Sequence, residues 1–223
     1  MSYDSFIAEV NAEFRQEKAL AFWKRYGFWI IGTVILFILM IVAYQVYHHE
    51  QIKKAGYIGD AFVKSLDFAD TRQFDEAIKQ LEDVKVSHFG GYPFLARLHE
   101  ASLFMEQGDV VKSVEAFDSV AADERAPQIL RKVAKIRAAY ILVDTGTLED
   151  VKKRVKDMAN DIDPMRMTAR EALGLAAYKA DKMDEAVDYF RKISAEGALG
   201  SKVTDRARIM LELIQAEGKA NKE

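Results

Sequence analysis

REALGLAAYKADKMDEAVDYFRKISAEG, residues 170–197, reads as two amphipathic helices and one turn. Gly174 and Ala177 are small residues three apart, and Asp181 follows four later at a break in the apolar spacing. Met183, Ala186, Phe190 and Ile193 then recur at helical intervals. Small residues on the first helix let the second come close, and the bulky stripe of the second fills the gap between them. Asp184 and Glu185 open the second helix, where carboxylates complement the positive end of the helix dipole.

The same arrangement runs upstream. Ser65, Phe68, Arg72, Phe74, Ala77, Leu81 and Val84 follow it. So do Ala101, Phe104, Gly108, Val110, Ser113, Phe117 and Val120, and then Ala139, Leu142, Gly146, Leu148, Val151, Val155 and Met158. The leading residues 65, 101, 139 and 174 are 36, 38 and 35 positions apart. One such hairpin cannot bury its own stripe, so neighbours must stack into a solenoid with a continuous core. Helices are predicted over 50–69, 74–86, 93–107, 110–122, 127–144, 148–160, 165–180, 183–195 and 201–217, the last as a cap. Gly90-Gly91, Gly108-Asp109, Gly146-Thr147, Asp163-Pro164, Asp181 and Gly197 punctuate them. Pro93, Pro127 and Pro164 stand at helix starts, where a missing N–H costs little, and no stretch alternates long enough to need a sheet.

Before the repeats, YGFWIIGTVILFILMIVAYQVY (26–47) holds 22 residues without a charge. As a helix it is ~33 Å long, enough to cross a hydrocarbon core of about 30 Å. Trp23, Tyr26, Phe28 and Trp29 at one end, and Tyr44 and Tyr47 at the other, take the places of interfacial aromatic belts. A run apolar all round has no polar face to show to water. It is too long for a signal-peptide core, and Tyr47-His48-His49-Glu50 offers no small-residue cleavage site, so it reads as an uncleaved signal anchor. Arg15, Lys18, Lys24 and Arg25 precede it, against Lys53, Lys54 and Lys64 after it, which favours a cytoplasmic N-terminus. The expected division is a cytoplasmic segment 1–25, a transmembrane helix 26–47 and a repeat domain 48–223. In the first of these, Phe6, Ile7, Val10 and Phe14 have helical spacing, read either as a membrane-lying amphipathic helix or as a frayed terminus.

The composition excludes several functions. With 223 residues, 50% hydrophobic and 30% charged, the chain is not disordered wholesale. Lys+Arg of 32 against Asp+Glu of 35 gives a net charge of −3, which argues against nucleic acid as a partner. The absence of Cys removes thiol nucleophiles, disulfides and Cys-ligated metals. The four histidines, His48, His49, His88 and His99, lack metal-ligand spacing; Lys53 stands where a zinc-protease helix needs its second His. No phosphate-loop, dinucleotide or nucleophile-elbow motif occurs, so no cofactor, metal or catalytic residue is expected. The enzyme alternative is a membrane-anchored hydrolase pairing His99 with Glu100 or Glu106.

The repeats resemble the tetratricopeptide repeat, best in Ala101…Phe104…Gly108-Asp109-Val110…Ser113…Phe117 and in Leu173-Gly174…Met183-Asp184-Glu185-Ala186…Tyr189-Phe190. They depart from it at the absent opening Trp, at Ser65 and Arg72, and at Val151. The expected fold is therefore all-α, a transmembrane helix followed by a tetratricopeptide-like helical-hairpin solenoid. In such solenoids the first helices line a concave face that binds peptides or partner helices. By helical phase, the candidates on that face are Phe62 and Leu66; Leu98, Ser102, Met105 and Glu106; Ile136, Tyr140, Val143 and Asp144; and Glu171, Leu175, Tyr178 and Lys179.

The layout as a whole is similar to the bacterial ancillary Sec-translocon subunits, single-pass inner-membrane proteins with a periplasmic tetratricopeptide-like domain. That resemblance implies a role in protein transport. Its partners are then the lipid bilayer, the Sec translocon, a membrane-anchored periplasmic chaperone and unfolded secreted polypeptides. The alternatives are a scaffold for another inner-membrane or envelope complex, and a scaffold whose tail stays in the cytoplasm.

Overall fold

The computed structural model of the chain describes residues 3–196 and 201–218, the side chains of 3–19 and 21 apart. Among the described residues there are nine α-helices, one short 3-10 turn and no strand. They are α1 (Tyr3–Asp70), α2 (Phe74–Lys85), α3 (Tyr92–Glu106), α4 (Val110–Ala122), α5 (Gln128–Thr145), α6 (Leu148–Val155), α7 (Arg166–Lys179), α8 (Met183–Glu196) and α9 (Lys202–Ala216). The all-α expectation holds, and most helix ends fall within a residue or two of those read from the sequence. Two elements differ. The segment expected to begin at residue 50 is the end of one continuous 68-residue helix, because no Pro or Gly-rich break separates it from the apolar run. The helix expected over 148–160 stops at Val155 and tightens into a 3-10 turn, Lys156–Met158. Asn160 ends it: its side chain donates to the Asp157 carbonyl and accepts from the backbone N–H groups of Ile162 and Asp163. The side chains of the amphipathic positions Phe6, Ile7, Val10 and Phe14, and the whole of the turn residue Gly197, lie outside what is described.

The chain divides into two compact units, Met1–Gly56 and Tyr57–Glu223. In the first, one helix near the N-terminus is long and apolar enough to cross a membrane, and only 6% of its most apolar stretch is buried. The hydroxyl of Thr33 donates to the Trp29 carbonyl at 2.9 Å, so this polar group is satisfied within the helix. The Arg25 guanidinium stands 5.8 Å over the Tyr26 ring.

The second unit is a row of hairpins. Residues 57–70 pair with α2, α3 with α4, α5 with α6 and α7 with α8, while α9 packs on α7 and α8. The last three of the four stripe positions after each turn are buried, from Ala77, Leu81 and Val84 to Ala186, Phe190 and Ile193, and none is more than 5% exposed, while the first is half-buried at Phe74 and Val110. The small residues do what the spacing predicts. A Cβ added at Gly174 would come within 2.9 Å of the Phe190 ring, so α7 and α8 touch at closest packing there. At the second repeat the Ser113 hydroxyl donates to the Ala101 carbonyl at 2.7 Å, sealing α4 onto α3.

Three of the four hairpins turn in the same way. Gln73, Asp109 and Lys182 donate backbone N–H groups to Phe68, Phe104 and Ala177, and the residue before each of them donates three back, to Ala69, Met105 and Tyr178. These paired bonds form a Schellman closure, which needs a left-handed residue. Gly108 supplies it at φ 85°, and Arg72 and Asp181 adopt it at φ 59° and 58° despite their side chains. The third hairpin differs. Gly146 is extended, and Thr147 opens α6 with a reciprocal capping box to Asp150.

Candidate functional site

Successive first helices are tied to each other along one side of the second unit, roughly one repeat apart in sequence. Phe62 lies 5.9 Å, ring centre to ring centre, from both Tyr92 and His99 of α3. Arg137 of α5 donates to the Ser102 hydroxyl of α3 at 2.8 Å. The Tyr140 hydroxyl of α5 donates to Glu171 of α7, and Arg206 of α9 grips the same carboxylate with two N–H groups, one at 2.7 Å. The Tyr178 hydroxyl reaches Glu217 at 2.9 Å. Lys179 donates to the Val143 and Asp144 carbonyls, placing an ammonium at the negative end of α5.

Electrostatics follow from burial. Glu171 is 2% exposed, yet both its oxygens are paired, which lets a carboxylate persist inside the protein. Burial first, and then the Glu171 carboxylate, push the Tyr140 phenol up, so it stays protonated and donating. Burial holds the His99 imidazole below its usual value, against a hydrogen bond to the Ser65 backbone and the charge of Glu106. The Nε2 of His99 is buried with no hydrogen-bond partner.

Several candidate residues lie in the core and not on an open face. Leu98 and Ile136 are 7% exposed; Leu98 packs with Phe117, Val120 and Ala138, and Ile136 packs in the cluster of Leu173 and Phe190. Glu171 is sealed by Tyr140 and Arg206. A solenoid helix packs on its own partner and on both neighbours, so helical phase alone cannot separate the open side from the side facing the next hairpin. Phe62, Ser102, Tyr140, Val143, Leu175 and Tyr178 are half-buried, and Leu66, Met105, Glu106, Asp144 and Lys179 are exposed.

Sequence reading missed Val63, Leu95 and Ile129, all exposed on first helices, and the polar links made by Arg137 and Arg206. The register carried a signal for both links. Arg137 stands 35 residues after Ser102, and Arg206 stands 35 after Glu171, close to the 35–38-residue step between repeats. Asp70, Glu106 and Asp144 stand five residues beyond the small residue of the first three repeats, at or near the negative ends of their helices, where the fourth repeat has Lys179.

Of the two carboxylates offered as partners of His99, the charge of Glu106 bears on its imidazole, while Glu100 is held by a cation. Glu100 accepts from Lys85 at 2.7 Å. Among the described residues no three His, Asp or Glu side chains converge to hold a metal ion.

The family model of a tetratricopeptide repeat-like domain matches residues 20–215, the hairpin array and the apolar run together. The chain belongs to the tetratricopeptide repeat-like domain family. No curated protein and no solved structure matches it. The fold of this family suggests a protein-interaction module.

Proposed function

We propose that the protein is a membrane-tethered interaction module without chemistry of its own. In this reading it is an accessory subunit of the Sec translocon. It joins the translocon to a membrane-anchored periplasmic chaperone and to emerging secreted chains. The observation that carries the reading is a pairing within one chain: a nearly unburied apolar helix long enough to span a bilayer, and a repeat domain that leaves Leu66, Leu95 and Met105 exposed on its first helices. Apolar side chains among the carboxylates Glu106 and Asp144 suit extended segments that carry apolar and positive residues, with no strict sequence. The tether raises the local concentration beside a membrane complex, so weak affinity at the face suffices.

Affinity purification of the full-length chain in mild detergent, with identification of co-purifying membrane proteins, tests the proposal. Translocon subunits and a membrane-anchored chaperone are expected. Recovery of a different envelope complex in their place would overturn the translocon assignment. Protease added to sealed vesicles settles the side: the domain is cut only from the non-cytoplasmic face, and cleavage from the cytoplasmic face contradicts the topology.

A further inference from the structure

The first seam between neighbouring hairpins is closed differently from the next two. Arg137 ties α5 to Ser102 of α3, and Tyr140 and Lys179 tie α5 to α7. Residues 57–70, the part of α1 within the second unit, meet α3 through rings. The Phe62 ring stands at 71° to Tyr92 and at 57° to the His99 imidazole, both 5.9 Å away between centres. Ser65, three residues after Phe62, is fully buried and bonded through its backbone to His99. The Ser65 hydroxyl oxygen and the His99 Nε2 are both shielded from solvent, and among the described residues neither has a hydrogen-bond partner. On the other side of α3, α2 is held by polar bonds: Lys85 reaches Glu100 at 2.7 Å, and Gln107 donates to Asp75 at 2.9 Å.

A proton changes the balance at this seam. The bond to the Ser65 backbone favours the protonated ring, as a bond donated to a carbonyl does, so the nitrogen there carries the hydrogen and Nε2 is the bare one. An added proton therefore makes Nε2 a charged donor in a place without an acceptor. Asp70 from the end of α1 and Glu106 from α3 favour the cation, and Arg137 from α5 opposes it. From α2, Lys85 approaches the residue next to His99, but Glu82 and Glu100 match it. Asp70 and Glu106 are exposed. The imidazolium gains water and these carboxylates by leaving the seam, at the loss of its contact with Phe62.

We propose that His99 is a proton-operated latch: once protonated it leaves the seam, and residues 57–70 part from α3 while α2 stays tied through Glu100 and Gln107. The parting uncovers Phe62 beside Leu66, so mild acid enlarges the apolar surface of the first helices. The latch does not depend on the interaction reading, because the seam opens or stays shut with no partner present. Its sign follows from burial. The closed ring takes up a proton below the ordinary value of about 6.5, which the open ring regains. Above that pH neither form gains a proton and the seam is shut. Below it the open form binds one that the closed form refuses, and opening grows by up to about tenfold per unit of pH until the closed ring titrates as well.

Amide hydrogen exchange of the full-length protein in an uncharged detergent tests this, read by mass spectrometry at pH 7.5 and 5.5 with labelling times scaled to the intrinsic exchange rates. Peptides from 57–70 and 92–106 report on the seam, and peptides from 166–196, the fourth hairpin, are the internal control. In the wild type the seam peptides should lose protection several-fold at the lower pH, up to about tenfold for one proton taken up between about 6.5 and 5.5, while the control peptides keep theirs. His99→Gln, which carries no titratable ring, should show no such change. A Gln variant that is already open at pH 7.5 passes the comparison to His99→Leu, whose side chain suits the apolar side of the seam. No loss of protection in the wild type overturns the latch, as does a loss of equal size in the variants or one spread evenly to 166–196. Binding to a partner enters none of these readings, so the latch and the interaction face fail separately.

Discussion

Single residues here report on the backbone and the core separately. Arg72 holds a left-handed conformation that a side chain resists, and it makes no side-chain bond in return. Arg72→Gly should therefore stabilise the repeat domain by about 0.5–1 kcal/mol, seen as a higher unfolding midpoint in denaturant. Gly174→Ala should do the opposite. Its methyl would press on Phe190, which is fully buried and has nowhere to move, at a cost of about 1–3 kcal/mol. His99 adds a pH dependence. Its folded value lies below the unfolded one of about 6.5, so the folded state resists the proton that the unfolded state accepts. The neutral imidazole is at no disadvantage above that pH, and stability falls as the pH drops from there toward the folded value. Asp70 and Glu106 oppose this shift and Arg137 reinforces it. Thermal melts of wild type and His99→Leu between pH 7.5 and 5 check it; the wild type should lose more stability on acidification than the variant.

At the scale of helices, the polar links decide how one hairpin is fixed to the next. Glu171 joins α5, α7 and α9, and removing Arg206 leaves a buried carboxylate with Tyr140 as its remaining partner. A double-mutant cycle of Glu171→Gln and Arg206→Gln should give a coupling of about 1–3 kcal/mol in unfolding free energy; a value near zero would mean that α9 is held by its apolar face alone. The hairpins were legible in the sequence because every second helix repeats one stripe, and that stripe is buried as its spacing predicts. The open face was less legible. Leu98 and Met105 were both assigned to it, yet Leu98 packs against Phe117 and Met105 is exposed, a difference set by the neighbouring hairpin and not by the helix itself. The continuous α1 was hidden for a related reason: a polar stretch after an apolar one changes the solvent of a helix without ending it.

At the scale of the whole molecule, an apolar helix long enough to cross a membrane stands in one chain with a hairpin array that leaves side chains exposed. In the proposed reading the apolar helix keeps the chain at a bilayer, and the face of the first helices does the binding. Photocrosslinking in intact membranes tests this most directly, with the crosslinker placed at Met105 or Tyr178 on the first helices and, for comparison, at Lys112 or Arg191 on second helices. The account predicts that the first pair captures other polypeptides several-fold more than the second. Equal capture from both pairs, or none from either, would contradict it.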